Sequence, residues 1–269
     1  TKMVKVTAQE VNALRQKTGA GMMDCKKALV EAEGDIDLAI DILRKKGQKV
    51  AAKRGDREAK EGYVTARVNS AGTVGYVFSV NCETDFVAKN DEFVGLGNAL
   101  LDILTTKSVV NADELKAETL ANGENVADFI TGLVGKIGEK IEISRFFIKT
   151  IENATFVDYI HSGSKLAVLL QVENTTGADS TKLNTTFKDI AMQAAAMKPL
   201  YLVREEVPSE VIEKEKDIYK EVLRKEGKPE QMLDKIAEGK INKFFQEVCL
   251  TEQVYVKDNS KSVKDVIAG

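Results

Sequence analysis

Apolar positions recur at two different periods along this chain, and the change of period divides it. The first segment follows the helical period. Thr7-Ala-Gln-Glu10 has the form of a capping box, in which the Thr7 hydroxyl caps the third amide and Glu10 reaches back. Val11, Leu14 and Thr18 then fall on one helical face, and Gly19-Ala-Gly21 stops the helix. A second helix is expected from about Asp24 to Glu33, ended by Gly34. Asp35 caps a third, with Ile36, Ala39, Ile40 and Leu43 on one face and Gly47 just past its end. Three helices of this length make a minimal bundle.

From Gly62 the period drops to two. Tyr63–Val68 and Thr73–Val80 flank the turn signal Asn69-Ser-Ala-Gly72, which predicts a β-hairpin. A helix follows from about Asp91 to Thr106, then a more polar helical region over Ala112–Gly135, then a strand over Glu142–Ile151. The pattern repeats after that. Thr155–Ile160 and Lys165–Val172 flank His161-Ser-Gly-Ser164, and a helix is expected over Ser180–Met197. Laying Gly62 on Thr155 superposes hairpin on hairpin, which suggests two related α+β units forming one core.

Beyond Pro208 the pattern becomes that of a projecting helical hairpin. Val211, Glu215, Ile218 and Val222 are spaced alternately by four and three, the seam of a coiled coil. Gly227-Lys-Pro229 breaks the helix, Leu233, Ile236, Phe244 and Val248 mark its return, and Gln253–Lys257 reads as a closing strand. The organisation expected is a helical module with a basic linker over 1–55, a first core unit over 56–152, a second over 153–207, the hairpin over 208–250, and a strand and tail completing the core over 251–269.

Composition narrows the function. The chain has 269 residues, 43% of them hydrophobic, which suits a folded chain with real cores. No apolar run reaches the length of a membrane span, and none follows the opening Thr1–Lys5, so neither a span nor a signal peptide is expected. The net charge of −3 lacks the basic excess of a nucleic-acid binder. The basic stretch Arg44–Lys60 reads either as a solvated linker or helix extension, or as a contact for RNA or an acidic partner face. Cys25, Cys82 and Cys249 are far apart and odd in number, which points to reduced thiols in a cytosolic protein and makes a poor metal site. His161 is the sole histidine, and no GxSxG, HExxH or GxxxxGK[ST] is present, which favours a binding or regulatory role over enzymatic chemistry.

Two places break the rule of apolar inside and polar outside. Met22-Met23 follows the glycine turn directly. Methionines adapt to irregular surfaces, whether a core or a partner, but two in succession cannot both point inward. The second place is Asn81-Cys-Glu-Thr-Asp-Phe-Val-Ala-Lys-Asn90, which follows a strand of buried pattern. Here Thr84 or Asp85 can cap a helix with Phe86 as a hydrophobic staple, or Asp85 and Phe86 can be presented outward. The equivalent positions of the second unit are Gly177 and Ala178, so the repeat does not itself demand an acid and an aromatic.

Thr18-Gly-Ala-Gly-Met-Met-Asp-Cys-Lys-Lys-Ala-Leu29, with Glu33-Gly-Asp35 behind it, resembles the N-terminal signature of the elongation factor Ts family. Asn81-Cys-Glu-Thr-Asp-Phe-Val-Ala-Lys89 resembles that family's core signature, with Glu83 where Gln is also common. Val134–Glu139 and Tyr159-Ile-His161 resemble two further family segments, and the likeness covers nearly the whole chain in the family's order. Relatives usually continue past Ser262–Ile267 into a strand rich in Phe and Arg, before which this sequence stops.

The resemblance implies a guanine nucleotide exchange factor that promotes GDP release from elongation factor Tu. It implies a bacterial cytoplasmic location, or a processed organellar form, with no direct nucleic-acid or membrane partner. The helical module would resemble ubiquitin-associated domains and dock on the partner's nucleotide-binding domain through Leu14, Met22, Met23 and Lys26. Asp85 and Phe86, flanked by Thr84 and Val87, would intrude beside the nucleotide and Mg²⁺, and Ile137, Gly138 and His161 would line the same surface. The factor itself would carry no cofactor. Two other classes remain open from the residues: an adaptor whose helical module binds ubiquitin-like folds or nascent chains, and an enzyme acting through Asp85 and His161.

Overall fold

In a computed structural model, residues 6–173, 175 and 177–269 are described. The chain is a mixed α and β protein that divides into two compact units, Thr1–Thr175 and Thr176–Gly269.

The first unit begins with α1 (Ala8–Thr18), α2 (Met22–Glu31) and α3 (Ile36–Arg54). The capping box forms: the Glu10 amide donates to the Thr7 hydroxyl at 3.2 Å, and the Thr7 amide donates to the Glu10 carboxylate at 2.7 Å. Val11, Leu14, Cys25, Ala28, Leu29 and Ala39 close a small core among the three helices. α3 departs from expectation. It does not end before Gly47 but runs on through the basic stretch to Arg54. The physical reason lies in α7 (Val126–Ile137), against which this second half of α3 packs. A Cβ on Gly47 would lie 2.6 Å from the Thr131 carbonyl oxygen, so Gly47 serves a close helix crossing instead of a helix end.

A three-stranded antiparallel sheet follows the order β1 (Glu61–Val68), β2 (Val74–Cys82), β3 (Glu142–Thr150). Asn69 closes the first turn by accepting from the Thr73 and Val74 amides at 2.8 and 2.9 Å. Phe78 and Val80, alternating on β2, face a core built with α5 (Asp91–Thr106) and α7, where Phe93, Leu96, Leu100, Leu104 and Val134 are buried. The polar helical region expected over Ala112–Gly135 is two helices, α6 (Ala112–Ala117) and α7, separated by a turn around Gly123. The α5 helix matches its sequence pattern from end to end, with Asn90 accepting from the Glu92 and Phe93 amides.

A second hairpin, β4 (Ala154–Ile160) and β5 (Ala167–Glu173), forms a separate two-stranded sheet in the same unit. It docks on the first hairpin at both ends: the Val64 amide donates to the Ser164 carbonyl and the Phe156 amide to the Gly72 carbonyl, each at 2.7 Å.

The second unit holds α8 (Ser180–Met197), as its pattern predicts, and a helical hairpin of α9 (Ser209–Lys225) and α10 (Glu230–Val248). The hairpin turns at Gly227 and Pro229. Its seam is displaced from the expected one. Val211 packs inward as expected, but beyond it Leu223 is buried and Ile212 and Tyr219 pack inward, whereas Ile218 and Val222 are exposed. Two apolar stripes overlap on α9, and the stripe carrying the larger Tyr and Leu side chains meets Leu233, Ala237 and Ile241 of α10. The closing strand is a short ribbon of β6 (Val254–Tyr255) and β7 (Asp258–Ser262), followed by α11 (Val263–Ala268). Among the described residues no helix is long and apolar enough to cross a membrane.

Candidate functional site

The exposed feature of the first unit is the turn after β2. Thr84 caps a single helical turn, α4 (Asp85–Ala88), by accepting from the Val87 amide at 3.4 Å. Phe86 stands on that turn 82% exposed. The staple reading is thereby overturned, because a staple packs its ring against the following helix. Ala88 is buried and Val87 is partly buried, packed against the core beneath the ring.

Hydrogen bonds from an unexpected quarter fix the turn. Glu139, on the connection from α7 to β3, accepts from the Glu83 amide at 3.1 Å and the Thr84 amide at 3.0 Å, and from the Thr84 hydroxyl at 2.7 Å. Glu83 returns the contact by accepting from the Lys140 amide at 2.7 Å. The Glu83 carboxylate also pairs with Arg54, the last residue of α3, at 3.0 Å. Ile137 and Gly138 immediately precede Glu139, and Gly138 ends α7 with φ +81°, a left-handed conformation that glycine adopts without strain. The tie therefore brings the Asp85-Phe86 turn beside Ile137 and Gly138.

Asp85 pairs with Lys89 one helical turn on, at 2.9 Å. That hydrogen bond, assisted by the field of Lys165, holds the Asp85 carboxyl below the usual carboxylate range. Lys165 lies in the β4–β5 turn, bonded to Glu61 at 2.6 Å. Glu61 pairs with Cys82 across the β1–β2 ladder, so this ion pair brings the β4–β5 turn to the end of β2 from which the Asp85-Phe86 turn leaves. His161 begins the turn and is exposed, with its Nδ1 hydrogen-bonded to the Tyr159 hydroxyl at 3.0 Å. Beneath the site, Cys82 is buried and donates to the Thr84 carbonyl at 3.2 Å. Burial and the nearby Glu139 carboxylate push its thiol up to about 12.

The other predicted residues lie on the helical module. Met22 and Met23 are both exposed, at 56% and 62%, at the start of α2, with Lys26 exposed on the next turn. Leu14 is different. It is fully buried in the three-helix core, so it supports the surface from within and offers no contact itself. A groove of about 490 Å³ lies between the end of α1, α5 and α7, spanned by the Lys136–Glu92 ion pair at 2.5 Å, and none of the predicted contact residues lines it. Among the described residues no group of three His, Cys, Asp or Glu side chains could hold a metal ion. Sequence reasoning missed Glu139, Lys89, Lys165 and Arg54. Glu139 carried a signal as the acid next to the Ile137-Gly138 pair, and Lys89 as the base four residues after Asp85 in the same signature.

A family model described as elongation factor TS matches residues 83–269. The chain belongs to the elongation factor Ts family. Relatives of that family align over nearly its whole length. It is 52% identical to the elongation factor Ts of Christiangramia forsetii, over 98% of this chain and 93% of that one. It is 46% identical to that of Cytophaga hutchinsonii, over 99% and 94%, and 43% identical to that of Chlorobium phaeobacteroides, over 98% and 92%. The family match begins at the Glu83 that joins the Asp85-Phe86 turn to Glu139.

Proposed function

We propose that this chain is a guanine nucleotide exchange factor: it binds elongation factor Tu carrying GDP and promotes GDP release, so that GTP can reload during translation elongation. Family membership supplies the class, and the exposed Phe86 on a turn fixed from below supplies the means. A ring held fully outward on a fixed turn suits insertion into another protein, where buried aromatic anchors carry much of the binding energy.

In this reading Phe86 enters the partner beside its nucleotide pocket and separates two of its helices. Asp85, kept anionic by Lys89 and Lys165, competes for the contacts that hold Mg²⁺. Thr84 and Val87 anchor the turn, and Ile137, Gly138 and His161 extend the surface. Met22, Met23 and Lys26 dock on the nucleotide-binding domain from a module similar to ubiquitin-associated domains. The α9–α10 hairpin is a coiled coil, and the two hairpin-plus-helix segments are related α+β units that grip other parts of the partner. The factor acts without covalent chemistry or a cofactor of its own, in the bacterial cytoplasm.

An exchange factor works by preferring the nucleotide-free partner. Linkage is reciprocal: as far as this chain weakens GDP binding, GDP weakens the binding of this chain, and incoming GTP displaces it. The direction of exchange is set by the nucleotide supply, and the factor lowers the barrier. The test is release of a fluorescent GDP analogue from cognate elongation factor Tu under catalytic amounts of wild type and of the Asp85→Ala/Phe86→Ala variant. Fast release by wild type and slow release by the variant is the expected result. No acceleration by the wild type overturns the proposal.

A further inference from the structure

We infer that Glu139, with Glu83 as its reciprocal partner, is a positioning residue for nucleotide exchange: it holds the Asp85-Phe86 turn and the Ile137-Gly138 turn as one rigid contact surface. The inference rests on the exchange reading above and extends it to residues outside the contact surface proposed there.

The geometry is a mutual clasp of two carboxylates. Each accepts from the main chain of the segment that carries the other. Glu139 takes the Glu83 and Thr84 amides and the Thr84 hydroxyl, and Glu83 takes the Lys140 amide. The two segments are 56 residues apart in sequence and continue the paired strands β2 and β3, whose ladder ends at the Asn81–Glu142 pair; past that pair, among the described residues, no main-chain hydrogen bond joins them and the clasp takes over. Charge-assisted bonds of this kind are about twice as strong as neutral ones. Thr84 stands at the centre. Its hydroxyl donates to Glu139 while accepting from the Val87 amide, so the clasp also sets the cap of the helical turn that carries Phe86. Arg54 adds a third element by pairing with Glu83.

An exposed ring can act as a wedge only if its base does not yield. Without the clasp, the work of opening the partner would be spent on moving the turn. The maximal exchange rate therefore depends on the clasp more than affinity does.

Hydrogen exchange on the free protein and GDP release with the partner test this together. In Glu139→Ala the Glu83 and Thr84 amides lose protection by about tenfold or more, while the Val80 amide on β2 is unchanged. The maximal GDP-release rate falls about tenfold and the half-saturating factor concentration changes less than about threefold. Glu139→Gln, which keeps the shape and one acceptor oxygen, falls between the two. In a Phe86→Ala background Glu139→Ala has little further effect, because both act through the same ring. Protection at Glu83 and Thr84 that survives Glu139→Ala overturns the inference, as does a full additional loss in the Phe86→Ala background. If Glu139→Ala does not fold, Glu139→Gln and Glu83→Gln carry the same comparisons. Wild type without exchange activity instead removes the function proposed above, and the amide protection then reads the clasp as a structural tie with no role in exchange.

Discussion

Gly47 and Gly135 cross so closely that a Cβ built on Gly135 would lie 2.9 Å from the Gly47 Cα. Both are helical, one in α3 and one in α7, and alanine is the better helix former by up to about 1 kcal/mol. The crossing decides the sign against propensity, since backbone atoms cannot turn aside as a side chain can. Gly47→Ala and Gly135→Ala are each expected to destabilise the first unit by about 2 kcal/mol or more in denaturant unfolding. Gly239→Ala in α10, where a Cβ meets nothing within 4 Å, is expected to stabilise by about 0.5–1 kcal/mol.

Two phenylalanines seven residues apart should separate stability from exchange. Phe86 is exposed and Phe93 is fully buried in the core behind it. Phe86→Ala is expected to leave the melting temperature unchanged while slowing GDP release strongly. Phe93→Ala is expected to cost about 3–5 kcal/mol of stability. Equal loss of stability in both would restore the staple reading.

Asp85 offers a pH signature. Its carboxyl is held below the usual range, first by the hydrogen bond from Lys89. A depressed folded-state value contributes stability that is present above the unfolded value of about 3.9 and is lost as pH falls through the folded value. NMR titration of the Asp85 carboxyl is expected to show a midpoint below the ordinary aspartate value, and Lys89→Met to raise it.

The thiols act at the other end of the pH scale. Burial raises Cys82, Cys25 and Cys249, with Cys82 pushed up to about 12. Their unfolded forms lose protons near pH 8.5, so the folded state retains protons that the unfolded state has released. For Cys82, stability is then fully present below that pH and falls as pH rises toward about 12, by about 1.4 kcal/mol per pH unit, and Cys25 and Cys249 act in the same direction. Chemical unfolding at pH 8, 9 and 10 is expected to show the decline, weakened in Cys82→Ala relative to that variant's own value at pH 8.

On α9, Leu223→Ala is expected to cost about 2–4 kcal/mol and Val222→Ala under about 0.5 kcal/mol, measured as the unfolding midpoint of the second unit. The reverse order would return the seam to the stripe read from spacing.

That stripe shows where sequence reading reaches its limit. Val211, Ile218 and Val222 follow one stripe and Ile212, Tyr219 and Leu223 another; Val211 packs inward with the second, whereas Ile218 and Val222 are exposed, and only the facing residues of α10 choose between the stripes. Patterns that stand on local periodicity carried through, as in the β1–β2 hairpin, α5 and α8. Gly47 misled because a glycine after an apolar face reads as a helix end, and the partner that makes it necessary is distant in the chain. Leu14 was drawn into the contact surface by likeness to the family, although its own helical spacing with Val11 already placed it in the bundle core. The pattern left Phe86 open between a staple and an outward ring and required only that Met22 and Met23 not both be buried, and all three are exposed; Glu139 reaches the turn through a tertiary contact 55 residues from Thr84 in sequence.

The continuity of α3 makes the module a lever with no joint. Its 19 residues carry one end among Leu14 and Leu29 and the other to Glu83, a span of about 28 Å at the helical rise. The module that presents Met22 and Met23 is therefore joined by a continuous helix to the base of the Phe86 turn. Excising the module through Arg54 would strip from α7 the helix that crosses it at Gly47 and Gly135 and remove the Arg54 contact to Glu83, so the helical module and the base of the turn form one mechanical part.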